Sequence, residues 1–384
     1  MKTVLIICSS DHHSEPRLLM QCNALRSEFK IVTAGLSPVN DNRIGFIKLQ
    51  GTESKRYINF HHQLPSFLRF PFTLINKIIF SISGDNPFYS GSDLRKLEKT
   101  RPDLVISHHP PALPIAIQLK NNLKVPVIFN AHEIYAFEFE DDKEWMKSQS
   151  EKIDAELKKH LPQCSALFTV NAEIADFYSK RYNCKAIVVH NSKPYTSIPP
   201  SKNNGKIRII HHGGAMPQRK LEEIAEAILL ESEKFELTFM LKPTDENYLR
   251  SLKDKYSSKG VIFKDPVPYE MIIETINQYD IGIHLLPEGN INHEFALPNK
   301  IFEFVQAKLA VITSPNTSLK NLIVSNDIGM VCEGYTSSSI VKLLKTIDRE
   351  KVMHFKEQCV RSAEKLSSEK DESRILQTVK EILN

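Results

Sequence analysis

The sequence predicts an α/β protein made of two doubly wound parallel sheets, each with helices on both faces. The chain has 384 residues, which is too long for one ordinary hydrophobic core. Short apolar runs that suit buried strands alternate with amphipathic helical runs along most of it. Residues 192–206, rich in Pro, Ser, Asn and Lys, interrupt the alternation and predict a linker between two domains.

In the first half, short apolar runs mark strands, and apolar residues at helical spacing mark helices. The predicted strands are Val4–Cys8, Phe29–Thr33, Leu104–Ser107, Val127–Asn130, Ala166–Val170 and Ala186–His190. The predicted helices are Pro16–Glu28, Ala112–Asn121, Glu144–His160 and Ala172–Tyr182. A strand followed by a helix and another strand is typical of parallel pairing, so the first domain is assigned to residues 1–191.

The same alternation resumes after the linker. The predicted strands are Ile207–His211, Glu236–Leu241, Val261–Phe263, Asp280–Leu285, Ala310–Thr313 and Gly329–Cys332. The predicted helices are Leu221–Lys234, Glu246–Tyr256, Tyr269–Gln278 and one that opens at Pro298, and the chain is helical after Cys332. The second domain is assigned to residues 207–365. A C-terminal helix is assigned to 366–384, with the first domain as one place for it to pack.

Composition excludes several classes of protein. The net charge is +4, from 50 basic and 46 acidic residues, which is too mild to indicate nucleic-acid binding. The six cysteines are scattered along the chain without a CxxC pair, which indicates reduced thiols. The apolar run near the start is only Val4–Cys8, and no run of about 18 apolar residues follows, which argues against a signal peptide or a membrane span. We therefore expect a cytoplasmic protein.

Segment 54–84 is basic and aromatic and contains no acidic residue. Such a composition suits a peripheral contact with an anionic membrane surface, or with a lipid-linked ligand. The other interpretation is that its phenylalanines belong to the core of the first domain. The sequence leaves both open.

A helix that opens at Pro298 and runs into the strand Ala310–Thr313 carries the strongest functional signal. It places Asn299, Lys300 and Glu303 in its first turns. The free N–H groups and the dipole of a helix N-terminus favour an anion there. This pattern predicts a phosphorylated ligand held without a metal, and the alternative is an ordinary surface helix.

A second signal follows the first strand of the second half. Gly213 and Gly214 permit a tight turn and close approach to a ligand, and Arg219 precedes the next helix, where it can bind a diphosphate. The pattern GxGxxG is absent from the chain, which disfavours a nicotinamide or flavin dinucleotide.

Histidines provide a third set of candidates. His132 and Glu133 follow a buried strand, where doubly wound sheets place ligands, although a polar pair capping the next segment is the alternative. Four adjacent histidine pairs occur, at 12–13, 61–62, 108–109 and 211–212. Neighbours on a strand point to opposite faces, so these pairs chelate poorly and no metal site is predicted. His12, in a strand-end loop, is instead expected to face an acceptor.

Several segments, taken in order, resemble the retaining glycosyltransferases of family 4, which have the GT-B fold of two Rossmann-like domains. The resemblance extends along almost the whole chain, and the matching segments are SEPRLLMQCNALRSEFKIVTAG, RPDLVISHHPPALPIAIQLKNNLKVPVIFNAHEIY, AIVVHNSKP, HHGGAMPQRKLEEIAEAI, VPYEMIIETINQYDIGIHLLP and LPNKIFEFVQAKLAVITSP. The combination is specific, although no single segment is.

The resemblance implies site residues. Gly214, Arg219, Asn299 and Lys300 would hold the diphosphate of a nucleotide sugar, and Glu303 would bind the ribose. The base would lie against Val267 and Pro268, and His132 would lie near the donor sugar. The acceptor side would include His12, Arg17 and Glu133. No metal and no cofactor beyond the nucleotide-sugar substrate are implied.

The chain departs from the family pattern at three places. One is the N-terminal loop, which usually carries a glycine pair and here has Ser9–His13 without a glycine. The family has a first Glu eight positions before the second, and Phe295 stands there, with Glu294 beside it as the candidate catalytic carboxylate. Ala215 stands where an Arg is usual.

The predicted function is a metal-independent, retaining hexosyltransferase that moves a sugar from a UDP- or GDP-sugar to a glycan or glycolipid hydroxyl. Family association implies surface polysaccharide assembly. The alternatives are a nucleotide-binding GT-B partner with weak or no turnover, and a nucleotide-sugar epimerase on the same fold.

Overall fold

A computed structural model describes residues 1–9, 12, 15–49, 89 and 91–384 of the protein. The chain divides into two compact units: Met1–Val189 with Glu372–Asn384, and His190–Asp371. Segment 54–84 lies outside the described residues, so its proposed membrane or lipid contact stays a prediction. Within the described residues, no helix combines the length and the apolar character needed to cross a bilayer.

The first unit contains a sheet of seven parallel strands in the described residues, in the order β3-β2-β1-β4-β5-β6-β7. Their bounds are β1 Thr3–Ile7, β2 Lys30–Gly35, β3 Gly45–Lys48, β4 Leu104–His108, β5 Val127–Asn130, β6 Ala166–Thr169 and β7 Ala186–Val188. The predicted parallel α/β architecture is confirmed. Strand β3 was not predicted, because it is a short edge strand without buried residues and lacks the apolar run that marks a central one.

Helices flank this sheet. They are α1 Pro16–Leu25, α2 Gly91–Glu98, α3 His109–Leu123, α4 Lys143–Trp145, α5 Glu151–His160 and α6 Ala172–Tyr182. A π-helical turn at Met146–Ser150 joins α4 to α5, where one long helix was predicted. The core of the unit includes Val4, Ile6 and Leu18, together with Ile375 and Val379 from the C-terminal helix.

The second unit contains six parallel strands in the order β10-β9-β8-β11-β12-β13. Their bounds are β8 Ile207–Gly214, β9 Phe235–Lys242, β10 Ile262–Lys264, β11 Ile281–His284, β12 Ala310–Thr313 and β13 Gly329–Val331. The remaining helices are α7 Leu221–Leu230, α8 Glu246–Tyr256, α9 Ile272–Ile276, α10 Ile291–Phe295, α11 Asn299–Gln306, α12 Thr317–Asn326, α13 Ser337–Leu344, α14 Arg349–Ser362 and α15 Ser368–Leu383. Helices α10 and α12 were not predicted.

Segment 192–206, predicted as a linker, lies inside the second unit. The backbone N–H of Thr196 donates to Gln306 Oε1 (3.0 Å), and Lys308 Nζ donates to the Thr196 carbonyl (2.9 Å). Further along, the buried Lys356 donates to the Ser201 carbonyl (2.8 Å). These bonds hold the segment against the unit although it forms no helix or strand.

Candidate functional site

The predicted anion site lies at the carboxyl ends of β8 and β11 and at the N-terminus of α11, an edge where doubly wound sheets bind ligands. Pro298 occupies the N-cap of α11 and Asn299 is its first residue, one position later than predicted. A proline cap has no side-chain acceptor for the N–H groups of the first turn. Those groups and the helix dipole favour an anion.

Two cations lie close to this helix end. Lys300 crosses Gly213 so closely that a Cβ at Gly213 would lie 2.3 Å from Lys300 Cε, and the φ of Gly213 is +134°. Arg219 follows in the short turn Pro217–Arg219, and its Nη1 is buried without a hydrogen bond in the described part of the chain. Burial lowers the pKa of Lys300. The charge of Glu303 opposes this lowering, and the charge of Arg219 adds to it. Burial also lowers the pKa of Arg219.

Glu303 sits on the same helix, only 4% exposed. Its Oε1 lies 3.1 Å from Lys193 Nζ, and its Oε2 lies 3.3 Å from His212 Nε2. Lys193 Nζ in turn lies 2.8 Å from the centre of the Tyr269 ring. Any ligand of this carboxylate would therefore share it with Lys193 and His212. The sequence carries no local pattern that marks Lys193, since it stands in an irregular, loop-like segment.

Three buried histidines lie beside the cations. The rings of His211 and His284 stack at 5.8 Å, and His211 Nδ1 lies 3.0 Å from the Ile283 carbonyl oxygen. Burial, followed by the Lys300 charge, lowers the pKa of His211 and of His212 to about 3. The same two causes hold the pKa of His284 well below its usual range. All three are neutral at pH 7, so the positive charge of the site belongs to the lysines and Arg219.

Glu294, the candidate catalytic carboxylate, contacts the start of a neighbouring helix. Its Oε1 accepts a hydrogen bond from the Thr317 backbone N–H (3.1 Å) and another from the Thr317 hydroxyl. Thr317 is the first residue of α12, so Glu294 satisfies a helix-terminal donor. This tertiary contact with an unpredicted helix engages one oxygen of the carboxylate, and the catalytic role of Glu294 stays a prediction.

The other residues predicted in this unit lie on neighbouring loops and strand ends. Gly214 ends β8, and a Cβ there would lie 2.7 Å from Thr244 Oγ1. Val267 packs against the apolar core, whereas Pro268 is exposed. Contact of these two residues with a base stays a prediction.

Arg17, predicted on the acceptor side, is fully buried in the first unit. Its Nη1 donates to the Val189 carbonyl (2.7 Å), and its Nε and Nη2 donate to Asn130 Oδ1 (3.2 and 2.9 Å). This corrects the prediction, because a guanidinium used in this way orients Asn130 and does not face an acceptor.

His12 is also fully buried. Its Nε2 lies 3.0 Å from the Cys8 carbonyl oxygen, and its ring packs edge-on against Phe46. The prediction that His12 faces an acceptor is corrected in the same way, since its ring is used in packing.

His132 and Glu133 follow β5, at the predicted edge. His132 Nε2 lies 2.9 Å from Asn130 Nδ2, and its ring stacks on His109 at 4.9 Å. Burial, with the Arg17 charge next, holds the pKa of His132 well below its usual range. Burial, reinforced by the Glu138 charge, raises the pKa of Glu133 to about 7. The edge thus holds a neutral imidazole and a carboxyl group that titrates near neutrality.

Comparison with known proteins adds to this geometry. Residues 56–192 match the model of Glycosyltransferase Family 4. Over this range, which is about a third of the chain, the protein is similar to glycosyltransferase family 4. A search of curated protein sequences finds no significant match.

Several solved structures share the architecture of this chain. HepE of Anabaena, in complex with UDP, is 10% identical with a TM-score of 0.71, and the match covers 99% of this chain and 100% of that one. Sucrose-phosphate synthase of Thermosynechococcus elongatus is 10% identical with a TM-score of 0.73, covering 100% and 99%. A glycosyltransferase of Rickettsia africae is 14% identical with a TM-score of 0.67, covering 100% and 99%. These similarities confirm the predicted GT-B fold.

Proposed function

We propose that the protein transfers a hexose from a nucleoside-diphosphate sugar to a hydroxyl group, with retention at the anomeric carbon. The observation that carries the proposal is the pair of partly or fully desolvated cations, Lys300 and Arg219, beside the uncapped N-terminus of α11. An anion would relieve their repulsion, and a diphosphate has the charge and reach to contact both. HepE, which shares the fold, has been solved with UDP and with UDP-glucose.

The roles of the residues follow from this chemistry. Lys300, Arg219 and the N–H groups beginning at Asn299 stabilise charge on the departing diphosphate, which is the main requirement of the reaction. Glu303 accepts hydrogen bonds from the ribose hydroxyls. His132 contacts a sugar. The leaving phosphate takes the acceptor proton, so no protein base is required.

The acceptor is proposed to be a glycan or glycolipid hydroxyl, in the assembly of surface polysaccharide. This part rests on the family association alone. Metal independence is also proposed, and it is supported by the composition of the proposed diphosphate site, which consists of cationic side chains and backbone N–H groups.

A second candidate is a nucleotide-binding protein without turnover. Two observations favour it. Phe295 stands where the family has its first carboxylate, and the neighbouring Glu294 accepts a hydrogen bond from Thr317. Both candidates bind a nucleotide, and they differ in whether the donor sugar is released.

The test is a thermal-shift panel of UDP, GDP, ADP and CDP with their sugar conjugates, followed by assays of donor hydrolysis and transfer. A ligand that binds only the folded state raises the melting temperature by mass action. We expect one nucleotide to stand out, and Lys300→Met and Glu303→Gln each to weaken its binding at least tenfold. Glu246→Gln, an exposed carboxylate on α8, is the matched control.

The outcomes separate the two candidates. Binding with donor hydrolysis or transfer supports the transferase. Binding of nucleotide and sugar conjugate without either reaction supports the inactive partner. No shift with any nucleotide at millimolar concentration contradicts both.

A further inference from the structure

We infer that Glu15, His109 and His132 form a binding site for a sugar hydroxyl group in the first unit. The ligand class rests on the proposed function, whereas the site itself rests on the geometry of these three side chains. The sequence predicts no role in a site for Glu15, and it marks His109 only as a member of an adjacent histidine pair. Both residues would contact substrate.

The three side chains meet where α1 begins and where β4 and β5 end. Glu15 Oε2 lies 4.0 Å from His109 Nε2, and Glu15 Oε1 lies 3.9 Å from His132 Nδ1. The two rings are stacked, with an interplanar angle of 18°. If a hydroxyl oxygen lies about 2.8 Å from each of two atoms that are 4.0 Å apart, the angle between its two hydrogen bonds is about 90°. A hydroxyl oxygen therefore fits between the carboxylate and either imidazole.

The buried Arg17 determines which nitrogen of His132 carries the proton. A guanidinium only donates, so the atom of Asn130 that faces Arg17 must be its oxygen. The Asn130 amide NH₂ then faces His132 Nε2 at 2.9 Å, and that nitrogen must accept. In a neutral imidazole the proton is consequently on Nδ1, the nitrogen directed at Glu15.

Tyr135 determines in a similar way which nitrogen of His109 carries the proton. The hydroxyl oxygen of Tyr135 accepts the His132 backbone N–H (3.3 Å) and lies 3.1 Å from His109 Nδ1. Tyr135 is buried, so its hydroxyl proton needs an acceptor, and His109 Nδ1 is the one in contact. The proton of His109 is then on Nε2, which also faces Glu15 and is buried without a hydrogen bond in the described residues.

Both imidazoles thus direct N–H groups, not lone pairs, towards one carboxylate. A hydroxyl group matches this arrangement, because it can accept from an imidazole and donate to Glu15. A metal ion does not match it, since metals bind the imidazole lone pair. Glu15, His108 and His132 do have ligand atoms within 4.8 Å of one another. However, Nδ1 of His132 would bind a metal only if the contact between Nε2 and Asn130 were lost.

The backbone supports a functional reason for this geometry. His109 has φ 62°, in the left-handed region that non-glycine residues rarely adopt. Strain of this kind persists where the surrounding structure requires it, and it is concentrated at functional sites. Burial lowers the pKa of His109 to about 4, so its ring is a neutral donor at physiological pH.

The first measurement is ¹⁵N NMR of the histidine rings in the full-length protein, assigned with His109→Gln and His132→Gln. We expect protonated Nδ1 in His132 and protonated Nε2 in His109. This measurement needs no change at Glu15, so it does not depend on how a Glu15 variant folds. The opposite tautomer in either ring would overturn the site.

The second measurement is a titration of the same signals with glycerol and with the methyl α-glycosides of glucose, galactose and mannose. At least one probe should shift both rings saturably in the wild type and in the control Glu151→Gln, which changes an exposed carboxylate on α5. In Glu15→Gln the apparent affinity should fall at least fivefold. No response to any probe overturns the proposal. So does an equimolar Zn²⁺ response that requires Glu15.

The source of the hydroxyl is identified with UDP-glucose and UDP. If UDP-glucose shifts the two rings and UDP does not, the hydroxyl belongs to the donor sugar. If only the glycosides shift them, it belongs to the acceptor. The glycoside titration is repeated in Glu303→Gln: loss of nucleotide binding with an unchanged glycoside response would show that the two proposals succeed or fail separately.

Discussion

At the scale of single residues, Gly213 is where one added atom would alter the proposed nucleotide site. A Cβ there would collide with Lys300 and would also strain the backbone at φ +134°. We expect Gly213→Ala to displace the Lys300 ammonium and to weaken binding of the preferred nucleoside diphosphate about tenfold or more, a loss of about 1.4 kcal/mol. Isothermal titration calorimetry measures the affinity.

The matched control is Gly205→Ala, where the added atom would meet only Asn203 Oδ1, at 3.4 Å. It should bind as the wild type does. Equal affinities of Gly213→Ala and the control would show that Lys300 does not hold the diphosphate.

Glu133 makes stability depend on pH. Its pKa is about 7 in the folded protein because of burial, above its usual value, so the folded state retains a proton that the unfolded state has lost. The contribution of the protonated Glu133 carboxyl to folding stability is fully present below the unfolded pKa, and it is lost as the pH rises through about 7. Glu133→Gln should therefore be more stable than the wild type at pH 8, by about 1–3 kcal/mol, and nearly equal to it at pH 5.

Urea unfolding at the two pH values measures this difference. Glu144→Gln, which changes an exposed carboxylate, should show no such dependence. A constant difference between Glu133→Gln and the wild type at both pH values would contradict the assigned shift.

At the scale of elements, the position of α11 depends on Gly282 in β11. A Cβ at Gly282 would lie 2.3 Å from Phe304 Cγ, so the absence of a side chain lets the helix lie against the strand. Gly282→Ala should overpack this contact and destabilise the second unit by about 1–3 kcal/mol. Thermal unfolding followed by circular dichroism measures the loss.

The double variant Gly282→Ala/Phe304→Leu tests the cause. A smaller side chain at 304 removes part of the clash, so the double variant should be more stable than the sum of the two single changes predicts. Simple additivity would mean that Phe304 is not what excludes a side chain at 282.

Buried central strands could be predicted from the sequence, whereas a short helix such as α10 could not. Central strands such as β4 and β12 begin with apolar runs, Leu104–Ile106 and Ala310–Ile312, because both their faces are buried. Helix α10 has only five residues and is capped by Asn290. A segment of this length shows no helical period, and only its contacts stabilise it.

At the scale of the whole molecule, the C-terminal thirteen residues Glu372–Asn384 belong to the first unit. Ile375 and Val379 are fully buried in its core. Deleting 372–384 should remove this apolar burial and lower the stability of that unit by about 3 kcal/mol or more. Hydrogen exchange should therefore accelerate in peptides that contain β1 and β4.

Peptides that contain β8 and β11 are the internal control, since they belong to the second unit. Their exchange should stay as in the full-length chain, and the truncated protein should still bind the preferred nucleotide. Equal acceleration in both sets of peptides would contradict the division into two separately stabilised units.

The sequence by itself determined the two parallel α/β units, the strand ends that carry candidate residues, and the helix N-terminus with Asn299, Lys300 and Glu303. These follow from local periodicity and from residue types that suit an anion, which a linear pattern records. Only the tertiary structure decided which polar side chains are already engaged. It placed Lys193 on Glu303, Thr317 on Glu294 and Arg17 on Asn130. Such pairings join residues distant in sequence, and no local pattern encodes them.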